Sequence, residues 1–166
     1  MTNVELQNRC KKIKLLALDF DGVMTDGRVL VSQDGSESVF CSRKDGLGIE
    51  LLQKVGIKIV VISKETNSVV AVRCKKLNIP CWQSVETGDG KKEILERVIA
   101  ESGFDSSEVA YMGDDVNDIP ALQLAGLAIV VADGHSLAKQ HADHITAARG
   151  GDHAVREVCD ILLENR

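Results

Sequence analysis

Large rings are nearly missing from this chain. Its 166 residues hold one Trp, one Tyr and three Phe, 3% in all, so no core can be built around aromatic side chains. The interior must rest on Val, Ile, Leu and Ala, the mixture expected of a sheet covered on both faces by helices. Proline is scarce as well, at two residues, and no repeat or low-complexity tract is present, which excludes disordered and fibrous classes. Cysteine is present in an odd number without CxxC or zinc-ligand spacing. Cys10, Cys41, Cys74, Cys81 and Cys159 therefore read as reduced thiols of a cytoplasmic protein, not as a disulfide framework. Positive charge is in deficit, 20 Lys and Arg against 25 Asp and Glu, which argues against a nucleic-acid backbone as partner. No apolar run approaches the ~20 residues needed to cross a bilayer, and Met1 to Lys14 has no secretory pattern, so no membrane association is expected.

What remains is an ordinary globular composition, 44% hydrophobic and 27% charged, of a length that one domain over 1–166 accommodates. Residues 1–13 are polar and expected to be flexible. Lys14 to Asp19 is a short apolar run ending abruptly in Asp-Phe-Asp-Gly, a buried strand opening into a loop. Residues 28–41 read as a projecting β-hairpin turning at Asp34-Gly35. From Asp45, Leu47, Leu51, Leu52 and Val55 fall at helical spacing up to Gly56, and Ile57–Ile62 is a buried strand. The alternation continues with a helix over Asn67–Leu77, a strand at Cys81–Ser84, a helix over Lys91–Ser102 and a strand at Val109–Met112. A short helix at Ile119–Leu124, a strand at Leu127–Val131 and a tail and helix over 149–166 complete the chain. Helices alternating with strands predict a doubly wound, mostly parallel, Rossmann-like α/β sheet with helices on both faces. Ligands of such sheets bind beyond the carboxyl ends of the strands.

Three strand ends carry polar groups. Asp19 and Asp21 flank Phe20 ahead of Gly22, which lets the backbone bend closely; Ser63 follows the second strand; and Gly113-Asp114-Asp115-Val116-Asn117-Asp118 follows a later one. Singly, these are ordinary turn and cap residues. Gathered on one sheet edge, so many carboxylates repel one another unless a hard, oxygen-seeking cation such as magnesium neutralises them. Gly46-Leu-Gly48 lacks the third glycine of a dinucleotide loop, and His135, His141, His144 and His153 share no ligand spacing.

Asp-x-Asp-Gly after the first strand, Ser at the second strand end and Gly-Asp-Asp-x-x-Asp after the later one resemble the haloacid dehalogenase-type phosphatases. The resemblance implies that Asp19 is a nucleophile forming an aspartyl phosphate and that Asp21 is the general acid and base. Related ion pumps place Thr where Asp21 stands, so Asp21 favours turnover over a long-lived phosphoenzyme. It implies Mg2+ held by Asp19, the carbonyl of Asp21 and Asp114, with Asp115 and Asp118 acting from behind or through water. Ser63 would hydrogen-bond the phosphoryl group. A lysine should balance the remaining charge. Within Gly88-Asp-Gly-Lys-Lys92, the apolar residues Ile94, Leu95 and Val98 put Lys91 in register with the buried face, and Lys92 is the alternative.

The spacing leaves no room for a cap insertion on either side of Ser63. Together with the hairpin, 42–49, 73–77 and 149–157 resemble a capless branch, the 3-deoxy-manno-octulosonate 8-phosphate phosphatases and their relatives acting on nonulosonate 9-phosphates. Members of that branch are tetramers whose hairpins gather and whose glycine-containing tails reach neighbouring sites. The likeness implies a sugar-acid phosphate substrate, a homotetramer, and closure by Arg149, Gly150 and Gly151. Thr25, Lys64, Glu65, Arg73 and Lys76 are the implied substrate contacts. Glu65, Arg73 and Lys76 match the nine-carbon type, where the eight-carbon type tends to carry a basic residue at the first position. Ser63-Lys64-Glu65 departs from the usual Thr-Gly-x. Arg43, Lys44, Lys64, Arg73 and Lys76 would give an acidic chain a positive mouth. Two competing classes are a signalling receiver domain, which would carry its acceptor Asp on a later strand, and a non-catalytic oligomerisation module of a sialic acid cytidylyltransferase.

Overall fold

A computed structural model describes residues 2–85 and 89–166. Its sheet has six parallel strands, β1 (Leu15–Leu18), β4 (Lys58–Ile62), β5 (Cys81–Trp82), β6 (Val109–Gly113), β7 (Leu127–Val130) and β8 (His144–Ile145), in the order β5-β4-β1-β6-β7-β8. The fold is α/β, as the alternation of elements requires. Each central strand is apolar on both faces. Leu16, Leu18, Val61 and Met112 feed one core together with α1 (Asn3–Cys10), α2 (Arg43–Lys54), α3 (Ser68–Leu77) and α7 (Ala154–Glu164). Leu15, Ala17, Val60 and Tyr111 feed the other, under α4 (Gly90–Ser102), α5 (Ile119–Leu124) and α6 (Ser136–Lys139). The period-two alternation of strand side chains makes this division. Among the described residues no helix is long and apolar enough to cross a membrane, and all five cysteines are free thiols.

Several boundaries differ from the sequence reading. The start of the chain is helical. Thr2 and Glu5 form a reciprocal capping box, Arg9 reaches the Gly126 carbonyl and Asp143, and Cys10 and Ile13 are buried. The flexible start expected over 1–13 is thus corrected by a local signal, Thr-x-x-Glu, that the polar composition masked. The hairpin pairs only β2 (Leu30–Val31) with β3 (Glu37–Ser38), although an isolated bridge between Thr25 and Cys41 closes its base. Helix α2 begins at Arg43 because Ser42 caps it by accepting from the Lys44 and Asp45 amides. The short α6 and β8 carry too few residues for a periodic signal.

Candidate active site

Three strands that are neighbours in the sheet, β4, β1 and β6, end together. Leu18 pairs with Val61 on one side and Met112 on the other, so Asp19, Ser63 and Asp114 emerge on a single edge. The cleft there, about 470 Å3, is lined by Asp19, Asp21, Gly22, Gly27, Ser63, Lys64, Glu65, Lys91, Asp114, Asp115 and Asn117.

Asp19 is almost wholly buried. Its Oδ1 accepts from the Phe20 amide at 2.7 Å, and its Oδ2 lies 2.7 Å from Lys91 Nζ. Burial and the Asp118 charge push its carboxyl well above the usual range, and Lys91 opposes them. Lys91 is 2% exposed and bridges to Asp118 Oδ1, also at 2.7 Å. Burial disfavours its charge, yet Asp19 and Asp118 outweigh that and leave it raised. Lys92 points out to solvent, pairing weakly with Glu96 at 3.8 Å. The geometry therefore selects Lys91. Gly88, in the preceding motif, lies outside the described residues.

Asp118 organises the far side. Its Oδ1 takes hydrogen bonds from Lys91 Nζ and Tyr111 Oη at 2.7 Å each, and its Oδ2 takes the Asp114 and Asp115 amides at 3.0 and 3.2 Å. A β-carbon on Gly113 would meet the Asp118 carboxyl at 2.5 Å, so glycine is what lets this side chain fold back. Although donor atoms of Asp19, Asp114 and Asp118 lie within 4.8 Å of one another, both oxygens of Asp118 are already engaged by four donors. A carboxylate so occupied is a scaffold, which leaves Asp19 and Asp114 as oxygen donors suited to a hard divalent cation. The Asp114 carboxyl is pushed up to about 7 by burial and by Asp118. Asp115 caps the short turn 116–118 through the Val116 amide. Tyr111 gave no signal in the sequence beyond strand hydrophobicity. An OH on a fully buried strand residue, seven places before an acid, was the available hint.

Asp21 is half-buried, and burial and Glu65 raise its carboxyl above the ordinary value. Ser63 is buried, and its Oγ accepts from the Glu65 amide at 3.0 Å, which leaves its own proton free for a ligand oxygen. Lys64 and Glu65 line the cleft mouth. Glu65 Oε1 also accepts from the Thr66 and Asn67 amides.

Four expected substrate contacts lie elsewhere. Thr25 is fully buried. Its Oγ1 accepts from the Gly22 and Gly27 amides at 3.2 and 3.1 Å and faces Asp21 at 3.4 Å, so its hydroxyl is engaged within the loop. Arg73 and Lys76 sit on α3 in a separate groove beside the hairpin, where Arg73 donates to the Ser42 carbonyl at 2.8 Å. Helix α3 simply runs away from the sheet edge. Arg149 pairs with Asp133 at 3.3 Å, and Gly150 and Gly151 pack on this chain's own Gly22, Thr25 and Asp26. Side chains at either glycine would collide with that backbone.

The fold and this edge define a phosphohydrolase class, and the comparisons name it. Residues 49–158 match the haloacid dehalogenase-like hydrolases, and the chain belongs to that family. It is a phosphoric monoester hydrolase related to the 3-deoxy-D-manno-octulosonate 8-phosphate phosphatases. It is 34% identical to the Escherichia coli (strain B / BL21-DE3) member over 162 residues, 97% of this chain and 85% of that one. The Moraxella catarrhalis phosphatase, solved with magnesium, phosphate and KDO, superposes with a TM-score of 0.94 at 34% identity, covering 99% of this chain and 94% of that one. The Yersinia pestis phosphatase matches with a TM-score of 0.92 at 33% identity, over 97% and 86% of the two chains.

Proposed function

We propose that this chain is a magnesium-dependent phosphatase that hydrolyses 3-deoxy-D-manno-octulosonate 8-phosphate through an aspartyl phosphate on Asp19. The observation that carries this reading is the meeting of Asp19, Lys91 and Asp114 at one sheet edge, in a chain whose fold follows that of a relative solved with magnesium, phosphate and KDO.

A phosphate monoester resists attack because its charge repels nucleophiles, so catalysis is chiefly positioning and charge neutralisation. Asp19, the Asp21 carbonyl and Asp114 would hold magnesium, which would supply positive charge against the transferring group. Lys91 supplies more, favours the ionised form of Asp19 against its burial, and aims it. Asp19 attacks phosphorus and the ester bond breaks. Asp21, whose raised carboxyl retains a proton to higher pH, gives it to the departing alkoxide. Water then attacks phosphorus, Asp21 takes its proton, and the carboxylate of Asp19 and free phosphate result. Ser63 donates its hydroxyl proton to a phosphoryl oxygen.

Lys64 and Glu65, at the mouth, contact the carboxylate and hydroxyls of the sugar acid. A nine-carbon acid phosphate is the second reading, and Glu65 is the observation favouring it. Arg73 and Lys76, its other supports, lie outside the cleft of the single chain. The cleft is open, and the hairpin exposes Val29, Leu30, Val31 and Phe40, the last at 79%. So apolar a projection suits a homotetramer in which neighbours cover each cleft. Five free thiols suit the cytoplasm.

Catalytic efficiency across eight- and nine-carbon 2-keto-3-deoxy sugar-acid phosphates tests the substrate, and Asp19→Asn tests the nucleophile. The eight-carbon ester should be preferred, and the variant should lose turnover by at least about 10³-fold. A fully active Asp19→Asn would contradict the mechanism, and a nine-carbon preference the substrate.

A further inference from the structure

Helix α7 starts without a cap of its own. The residue before it, His153, sits in left-handed backbone (φ 75°) and offers no side-chain hydrogen bond to the helix amides. The first amides of a helix need acceptors, and an uncapped, buried start is costly. The acceptor comes from 111 residues away. Asp45, on the first turn of α2 and 1% exposed, takes the Arg156 N–H at 2.8 Å on its Oδ1. A carboxylate there also meets the positive end of the helix dipole. The two helices can approach closely because residue 48 is glycine, where a β-carbon would lie 2.9 Å from Arg156 Cδ and 3.0 Å from Cys159 Cβ.

The turn just ahead of α7 touches the catalytic loop. Gly151 N–H donates to the Val23 carbonyl at 3.0 Å, and Gly150 N–H donates to Asp133 Oδ1 at 2.9 Å. Gly150 lies directly on the Gly22 carbonyl, and Gly151 on Thr25 and Asp26, with no room for a side chain at either. Loop 22–26 is thus braced from outside by a turn whose position depends on where α7 begins.

We propose that Asp45 is a positioning residue for phosphoryl transfer: by capping α7 across the fold it holds the 149–153 turn against the loop that carries Asp21, Gly22 and Thr25. The proposal rests on the phosphatase reading of the cleft, and its requirement is an acceptor at Oδ1, not a charge. Asp45 Oδ2 is buried without a hydrogen-bond partner, so an amide, which is cheaper to bury than a carboxylate, fits the same place.

The full-length chain with Mg2+ and a generic aryl phosphate supplies the test. Asp45→Ala should lower kcat by about 10- to 100-fold with KM little changed, the signature of a misplaced catalytic group. Asp45→Asn, which keeps the acceptor, should restore most of that kcat. Equal losses in both variants, or wild-type kcat in Asp45→Ala, would overturn the proposal. Amide hydrogen exchange on the unaltered chain decides independently of how the variants fold: Mg2+ with orthovanadate should slow residues 22–26 and 154–156 together. Slowing at 22–26 alone counts against Asp45. A wild-type chain that turns over no phosphate ester refutes the phosphatase reading instead. Faster exchange at 22–26 in metal-free Asp45→Ala than in the metal-free parent still shows the brace, and unchanged exchange removes it.

Discussion

The Asp114 carboxyl fills the space that a β-carbon on Gly22 would occupy, such a carbon lying 2.5 Å from Asp114 Cγ. Gly22 also has a φ of 78°, left-handed backbone that costs an L-residue roughly 1–2 kcal/mol. The loops after β1 and β6 can approach this closely only because this residue has no side chain.

Gly22→Ala should therefore separate Asp114 from Asp19 without unfolding the sheet. The expected result is a kcat about 10²-fold lower and a higher Mg2+ concentration for half-maximal activity, read from metal titrations of turnover.

Tyr111→Phe removes one of the four donors on Asp118 and leaves a buried carboxylate oxygen short of a partner. Stability should fall by about 1–2 kcal/mol, and kcat should fall several-fold with KM nearly constant as Asp118, which holds Lys91, loses one of its own anchors. Asp118→Asn should cost more, about 3–5 kcal/mol, because it strips buried Lys91 of one of its two ion-pair partners. Thermal denaturation beside steady-state kinetics measures both.

Stability of the metal-free chain should depend on pH in an unusual sense. Asp114 is pushed up to about 7 by burial and Asp118, and Asp19 and Asp21 are raised too, burial again being the first cause. Above the ordinary carboxylate value near ~4, the folded chain keeps protons that the unfolded chain has released. These groups therefore favour folding at low pH, and the contribution of Asp114 is lost as pH rises through about 7. Magnesium binds the ionised site, so the gain in Tm on adding Mg2+ should be larger at pH 8 than at pH 5. Equal gains at both would show that Asp114 titrates normally.

Leu30→Glu combined with Phe40→Glu places charge on the exposed apolar hairpin, whose residues 30 and 40 are 66% and 79% exposed in the single chain. For the proposed homotetramer, the native mass in solution should drop towards that of a monomer, measured by light scattering. Activity on the sugar-acid ester should then fall more than activity on a small aryl phosphate, the smaller ester needing no covering neighbour.

Much of the fold was legible because its determinants are local and periodic. Leu52 and most of the apolar run Ile57–Ile62 are buried as their pattern implies, whereas Leu47 and Val55, at the same helical spacing, are exposed and Ile49 faces the core instead; Asp19, Ser63 and Asp114 stood out as polar residues where apolar strands stop. The first helix escaped notice because a capping box was overshadowed by polar composition, and α6 and β8 because four and two residues hold no period.

Residue chemistry and order along the chain determined the α/β alternation and the acids at the strand ends, and favoured Lys91 over Lys92 by its helical register. Tertiary structure alone decided which of these groups meet: that Asp118 is a scaffold with Tyr111 behind it, that Thr25 faces inward, that Arg73 and Lys76 point into another groove, and that Asp45 caps a helix 111 residues away. The reason is physical. Hydrophobic period and cap chemistry act over a few residues, whereas a hydrogen bond between separated segments depends on how packed helices and strands bring their ends together, which no local pattern records.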